Sequence, residues 1–226
     1  MFTANGPLPV PEPRALSTAE VRATVEDFRR AAGLAVAAGA DGVEIHGANG
    51  YLVHQFLSSN ANVREDEYGG SVEGRARFAV EVARAVAQEI GADRTGFRVS
   101  PGNPLHDMVE ADSRATYEDL TRRLAELDLA YLHVLHLGDD DLLRSLRQLW
   151  PNTLIVNRAG RPREELDSDV ASGLADIASV GSFALANPDL VERLRTGAPL
   201  NAPDPSRFYG GTGEGYTDYP SLADVA

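Results

Sequence analysis

Gly42-Val43-Glu44-Ile45-His46-Gly47-Ala48-Asn49-Gly50-Tyr51 is a short apolar strand that stops in polar and turn-forming residues. The segments on either side of it set the fold. Upstream, Ser17-Thr18-Ala19-Glu20 reads as a capping box. Val21, Val25, Phe28, Ala32, Leu34 and Ala35 then share roughly one helical face until Gly39. Downstream come a turn, a short helix around Leu52 to Leu57, a polar Gly-rich loop from Asn62 to Ser71 and a long amphipathic helix from Val72 to Ile90. Thr95 to Val99 is the next strand. The alternation repeats with helices at Ala115–Leu127, Asp140–Leu149 and Arg163–Ser172, and strands at Ala130–Leu135, Thr153–Asn157 and Asp176–Val180. Asn187-Pro188-Asp189 opens a last helix to about Arg195.

Strands alternating with helices imply a parallel β/α architecture of the barrel type. Five strands can be read, whereas a closed barrel needs eight, typically in about 250 residues. Residues 1–41 offer one helix and no strand; Met1 to Arg14 is a Pro-rich, extended lead-in, and residues 197–226 form a turn-rich aromatic tail. The expectation is a single domain over 1–226 that cannot close a barrel by itself.

Composition removes several function classes. A net charge of −13 disfavours nucleic-acid backbones. No apolar run approaches the roughly 20 residues that span a bilayer, and the first 13 residues lack a basic region followed by an apolar stretch. A soluble, cytoplasmic chain that binds neither nucleic acid nor membrane is expected. With no Cys and no Lys among its 226 residues, thiolate catalysis, Schiff-base lysine chemistry and a P-loop are ruled out within this stretch.

His46 and Asn49 lie at the C-terminal end of a strand, the end that faces the active site in a barrel. Such a pair can aim two hydrogen-bond donors at one carbonyl or oxyanion, and Tyr51 follows at hydroxyl reach as a proton donor. Taken alone, these residues fit equally a strand-end turn with incidental polar groups. Asp139-Asp140-Asp141 reads as a charge run at a helix N-terminus rather than a metal site. Arg64, Asp66, Glu73 and Arg75 read as a structural ion-pair network; Trp150, Tyr216 and Tyr219 read as packing residues. His133 and His136 alternate poorly with their strand and receive no role.

The run from Glu44 to Leu52, Gln55-Phe56-Leu57, Asn62 to Ser71 and Glu73 to Phe78 resembles the old yellow enzyme family. So do Arg98-Val99-Ser100-Pro101, Ala186-Asn187-Pro188-Asp189-Leu190, Phe208-Tyr209-Gly210-Gly211 and Gly215 to Pro220, with order and spacing agreeing from about Pro13 to the end. The resemblance implies the C-terminal part of a TIM (β/α)8 barrel, strands 4–8, with the first three strands supplied by a second polypeptide. It implies FMN, electrons from NADH or NADPH, and reduction of an activated alkene. By the same resemblance His46 and Asn49 hold the substrate carbonyl, Tyr51 protonates the α-carbon and Arg98 sits at the flavin N1–C2=O edge. Phe208 and Tyr209 lie near the phosphate or the pocket mouth. The phosphate loops after strands 7 and 8 correspond to Gly160-Arg161 and Gly181-Ser182.

The sequence departs from the family where Gly-Arg is usual and Gly181-Ser182 stands instead. That exchange removes a charge-assisted contact of about 1.5–3 kcal/mol, which Arg158 or Arg161 could replace. Two readings follow. The first is a subunit of a split FMN-dependent ene-reductase with a dedicated biosynthetic substrate. The second is a flavin-free relative, acting as an isomerase or cyclase through His46, Asn49 and Tyr51 or as a non-catalytic stabilising subunit.

Overall fold

The computed structural model describes residues 13–162, 165, 167–209 and 212–224, and the backbone of Phe2–Thr3 and Gly6–Pro7. These fall into two compact units: Arg14–Ser179, and Met1–Pro13 with Val180–Ala226.

The larger unit begins with α1 (Thr18–Ala37). Its capping box forms as the sequence predicts: Glu20 N donates to Ser17 Oγ at 3.3 Å and Ser17 N to the Glu20 carboxylate at 2.7 Å. Strand β3 (Val43–Gly47), α2 (Leu52–Leu57) and α3 (Val72–Ile90) follow. Next come β4 (Thr95–Val99), α4 (Ser113–Ala125), β5 (Tyr131–His136) and α5 (Asp140–Leu149). Strand β6 (Thr153–Arg158), α6 (Ser168–Ala171) and β7 (Ile177–Ala178) close the unit. The sheet order is β3-β4-β5-β6-β7, every pair parallel. All five expected strands are present, within one residue at most boundaries; β7 is shorter than expected. Of the helix expected at Arg163–Ser172 the described residues show Ser168–Ala171; Arg163, Glu164 and Leu166 lie outside the described residues.

Strand alternation divides the sheet's two faces. Ile45, Phe97, Val99, Leu132, Val134, Leu154 and Val156 point to one side and are at most 3% exposed. They join a core with Phe78, Val82, Tyr117, Leu120 and Leu146 from the helices. Burial of this apolar face supplies most of the stabilisation, at about 25 cal/mol per Å² of area removed from water. The opposite face carries Glu44, His46, Arg98, Tyr131, His133, Ile155 and Asn157. Gly96 belongs to it for a steric reason: a Cβ there would lie 2.1 Å from the Tyr131 ring, which crosses β4 at that point.

One reading of side chains changes and one, the acidic helix N-terminus at Asp139-Asp140-Asp141, holds. Arg64 pairs with Asp66 at 2.5 Å, but Arg75 pairs with Asp112 at 2.6 Å and Glu73 reaches Arg123 at 3.5 Å, so the four residues are not one network. Asp139 caps α5 by accepting from Leu142 N at 2.8 Å.

In the smaller unit, β1 (Phe2–Thr3) and β2 (Gly6–Pro7) pair antiparallel where the sequence suggests an extended lead-in. Helix α7 (Ser182–Ala186) and α8 (Leu190–Thr196) follow. The Asn187-Pro188-Asp189 turn anchors the tail. Asn201 N donates to Asn187 Oδ1 at 2.7 Å, Leu222 N to Asp189 Oδ2 at 2.7 Å, and buried Arg193 to the carbonyls of Pro199 and Pro220 at 2.6 and 2.8 Å. Trp150, in the larger unit, is buried, whereas Tyr216 is 41% exposed and so is no core residue; its hydroxyl donates to the Phe208 carbonyl. No helix among the described residues is long and apolar enough to cross a membrane.

Candidate active site

The end of β3 is shaped by close approach. A Cβ on Gly47 would lie 2.5 Å from the Phe97 ring and 2.8 Å from the Arg98 carbonyl. Asn49 and Gly50 then take left-handed backbone conformations, φ 58° and 74°, which Asn tolerates and Gly adopts freely. The chain thereby reverses sharply, and Tyr51 starts α2 with its ring 54% exposed.

The loop after β4, residues 100–112, clamps this turn. Asn49 N donates to Ser100 Oγ at 2.8 Å, Asn103 Nδ2 donates to Asn49 Oδ1 at 2.9 Å, and His106 Nδ1 lies 3.0 Å from the Asn49 carbonyl. A Cβ on Gly50 would meet the Leu105 carbonyl at 2.3 Å. Gly50 N donates to Nδ1 of fully buried His54 at 2.8 Å, and His54 Nε2 meets Glu110 at 2.8 Å. Glu110 also accepts from Gly102 N at 2.7 Å, Ser113 Oγ at 3.0 Å and Tyr117 Oη at 2.5 Å. His106 and Asp107 both have positive φ, 60° and 64°. Non-glycine residues hold such values only where surroundings over-determine them.

These contacts bring three rings together: His46 to Tyr51 at 5.4 Å between centroids and Tyr51 to His106 at 5.1 Å. Half-burial, reinforced by the Arg98 charge, lowers the His46 pKa below its ordinary value. His46 is therefore a neutral imidazole at pH 7, with one N–H to donate. Arg98 neighbours His46 in register, and His133 neighbours Arg98. The Arg98 Nε is buried with no hydrogen-bond partner. An unclaimed guanidinium N–H is costly unless something accepts from it, so this end of the site fits a group presenting a carbonyl or anionic edge.

His133, to which the sequence assigns no role, is corrected by the structure. It sits on the polar face, its Nδ1 2.9 Å from Glu44 and its Nε2 3.1 Å from Ser179 Oγ; Asn157 Nδ2 donates to the Ser179 carbonyl at 2.8 Å. A carboxylate only accepts, so Nδ1 carries the proton. Desolvation would raise the Glu44 pKa, but the hydrogen bond and charge of His133 outweigh it and hold the carboxyl below its usual range. Burial, with the Glu44 charge and hydrogen bond, pushes the Tyr131 hydroxyl up to about 12.

Gly160 and Arg161 line an open cleft of about 380 Å³ with His136, Leu137 and Arg158. Both arginines are engaged. Arg158 pairs with Asp169 and Asp140, each at 2.5 Å. Arg161 donates to Ser168 Oγ at 2.7 Å and lies 3.4 and 3.7 Å from Asp169 and Glu165. Two cations facing Asp140, Glu165 and Asp169 leave no surplus positive charge for a phosphate. In the smaller unit, Gly181 and Ser182 are exposed at the start of α7, Phe208 is half-buried and Tyr209 is 76% exposed; Gly210 and Gly211 lie outside the described residues. No group of three or more His, Asp or Glu among the described residues is placed to hold a metal.

Residues missed by sequence reasoning are Ser100, Asn103, His106 and Glu110 in the loop, and His54 in α2. Only the position of the loop, directly after a strand end, could have pointed to them.

The sequence profile of the NADH:flavin oxidoreductase / NADH oxidase family matches residues 7–201. A probable flavin mononucleotide-dependent alkene reductase of Leishmania infantum is 44% identical over 98% of the chain and 62% of its own length. A putative 12-oxophytodienoate reductase 10 of Oryza sativa subsp. japonica is 44% identical over 94% and 71%. Among solved structures, morphinone reductase in complex with tetrahydroNAD superposes with a TM-score of 0.91 at 41% identity, covering 98% of this chain and 62% of that one. The old yellow enzyme homologue from Zymomonas mobilis gives 0.87 at 34%, covering 92% and 61%. The chain thus spans roughly three fifths of several of its relatives. With 195 of its 226 residues inside the family profile, it belongs to the NADH:flavin oxidoreductase / NADH oxidase family.

Proposed function

We propose that this chain carries the substrate half of an FMN-dependent ene-reductase acting on an alkene conjugated to a carbonyl. The observation that carries the reading is the cluster at the ends of β3 and β4. There His46 and Asn49 offer neutral N–H donors, Tyr51 a phenol, and Arg98 a guanidinium whose buried Nε–H is unclaimed.

His46 and Asn49 hold the carbonyl oxygen. Their two hydrogen bonds draw electron density from the alkene and stabilise the negative charge that develops on that oxygen. Arg98 would face the flavin's pyrimidine edge, where a fixed cation favours added negative charge. When bound, the flavin, reduced by NADH or NADPH, supplies hydride to the β-carbon. Tyr51 supplies the proton to the α-carbon, so the product gains one hydride and one proton across the former double bond. The exposed ring of Tyr51 leaves its hydroxyl open to reprotonation by water.

The phosphate end supports flavin binding less well, because Arg158 and Arg161 are tied to acids and Ser182 carries no charge. That observation favours the second reading, a flavin-free relative, and a visible absorption spectrum of the purified assembly separates the two.

The outer edges of β3 and β7 carry backbone groups that parallel neighbours satisfy in closed barrels. Strands from a second polypeptide fill this role best, since two five-stranded copies fit an eight-stranded barrel poorly. The test of the site is the double variant His46→Ala/Asn49→Ala in the assembled protein. Turnover of a conjugated enone is lost while flavin content stays unchanged; retained turnover ends the assignment.

A further inference from the structure

We propose that Asn103 is a positioning residue that sets the polarity of the Asn49 side chain, turning its amide so that the Nδ2 end, not Oδ1, is left to donate to the substrate oxygen. The proposal rests on the ene-reductase reading for the identity of that oxygen; the orientation itself follows from hydrogen bonds within the loop.

The backbone N–H of Leu105 can only donate, and it lies 3.0 Å from Asn103 Oδ1. That oxygen is therefore the acceptor, and Asn103 must present its other end, Nδ2, to Asn49. Nδ2 can only donate, so the Asn49 atom 2.9 Å away is Oδ1. Asn49 N donates to Ser100 Oγ and the Asn49 carbonyl accepts from His106 Nδ1. Every polar atom of Asn49 but Nδ2 is thus claimed by the loop after β4. Asn103 is 9% exposed, so water competes little for its amide.

The arrangement answers a need of the chemistry. An asparagine beside a carbonyl substrate is useful only in one of two nearly isosteric orientations. In the other, its own oxygen faces the substrate oxygen and repels it. Asn103 selects the useful one.

Two substitutions separate positioning from mere support of the loop. Asn103→Asp keeps an acceptor for Leu105 N–H but offers only acceptors to Asn49. Asn49 then rotates to donate to the carboxylate, and Oδ1 faces the substrate. Asn103→Leu removes the loop hydrogen bond but leaves Asn49 free to take either orientation. If Asn103 sets polarity, Asn103→Asp is the worse variant, with kcat/KM for cyclohex-2-enone lowered about 10- to 100-fold, the scale of an unmatched buried polar group. Its activity should recover as the pH is lowered, because the introduced carboxyl, once protonated, donates to Asn49 Oδ1 again. If Asn103 only supports the loop, Asn103→Leu is the worse variant and neither loss varies with pH; that order overturns the proposal.

A second measurement needs no substitution. In the assembled wild-type protein with ¹⁵N-labelled asparagine, the Asn103 side-chain amide protons should exchange slowly. Those of Asn49 should exchange quickly and shift when cyclohex-2-enone is added. The reverse pattern also overturns the proposal. Loss of turnover in His46→Ala/Asn49→Ala, combined with unchanged turnover in Asn103→Asp, ends the positioning role and leaves the ene-reductase reading standing. Unchanged turnover in the double variant ends that reading alone, and the exchange experiment still decides the orientation.

Discussion

Replacing Glu110 with Gln should destabilise the larger unit, and the reason lies in donors that cannot change role. One Glu110 oxygen accepts from His54 Nε2 and Tyr117 Oη, the other from Gly102 N and Ser113 Oγ. The side chain is 2% exposed. In the Glu110→Gln variant one of these positions becomes an NH₂ group. Ser113 and Tyr117 hydroxyls can rotate to accept from it. Gly102 N–H cannot, and neither can His54 Nε2–H, because His54 Nδ1 already accepts from Gly50 N. An NH₂ turned toward His54 would leave its buried Nε2–H unmatched, so the amide nitrogen turns instead toward Gly102 N, which is exposed and can be satisfied by water. Every remaining bond, that from buried His54 included, loses its charge assistance, at about 1–3 kcal/mol in all. That cost of about 1–3 kcal/mol is a sizeable share of the roughly 5–15 kcal/mol typical of a domain. At about 2–4 °C per kcal/mol for this size, the transition midpoint falls by roughly 2–12 °C. Urea denaturation at several pH values is the assay. Desolvation opposes ionisation of Glu110, but its hydrogen bonds from His54, Tyr117 and Gly102 outweigh this and depress the folded-state pKa. The unfolded chain therefore binds more protons between the two pKa values. The carboxylate's contribution is complete above the unfolded value of about 4.3 and fades as pH falls toward the folded one. The difference between wild type and Glu110→Gln should accordingly shrink below about pH 4.3. A difference under about 1 kcal/mol at pH 7, smaller than the lost charge assistance of these bonds, would refute the reasoning, as would one that persists unchanged into acid.

Tyr51→Phe should slow the protonation step by roughly 10²–10⁴-fold with flavin content unchanged; stopped-flow of the half-reaction with a conjugated enone checks it. Ser182→Arg should tighten FMN binding by titration, since it restores a guanidinium to a loop that has none; unchanged affinity points next to Arg161→Ala. Because the His46 pKa is depressed, the ring stays neutral above its ordinary value, and kcat/KM should show no loss assignable to His46 between about pH 6.5 and 8. Co-expression with a polypeptide resembling the family's N-terminal strands, followed by chromatography with light scattering, should give a stable complex; an active monomer of this chain alone argues against a partner.

The sheet is legible in the sequence because hydrophobic alternation and helix spacing are local properties. Thr95–Val99 and Thr153–Asn157 can be read almost to the residue. Two-residue strands such as Phe2–Thr3 and the five-residue α7 carry too few positions for any period to show. His133 escapes such reading because the polar face of the sheet interrupts the apolar pattern, and only the fold brings Glu44, 89 residues away, against it. His46, Asn49 and Tyr51 are visible as residue types at a strand end. The loop that orients them is not: a side chain bonded to a distant backbone group leaves no spacing to read.

The orientation of the cluster traces to backbone groups. Histidine and asparagine side chains can each present either polarity, and that ambiguity must be settled by a partner with only one. Gly50 N–H makes His54 Nδ1 an acceptor and so its Nε2 a donor to Glu110. The Asn49 carbonyl makes His106 Nδ1 a donor. Leu105 N–H, acting through Asn103, turns Asn49. His46 differs from these: among the described residues nothing hydrogen-bonds its ring, and its contacts are the Tyr51 face and the Arg98 charge. Its tautomer is therefore free to follow the ligand. A carbonyl oxygen draws an N–H toward itself, whereas a ligand donating at that position would draw the lone pair. With Asn49 held as a donor by Asn103, the proposed site would reject the second kind of ligand even though His46 would accept it. In the proposed ene-reductase, selectivity for an acceptor oxygen would thus reside in Asn49 and the loop behind it, while His46 would supply strength without choosing.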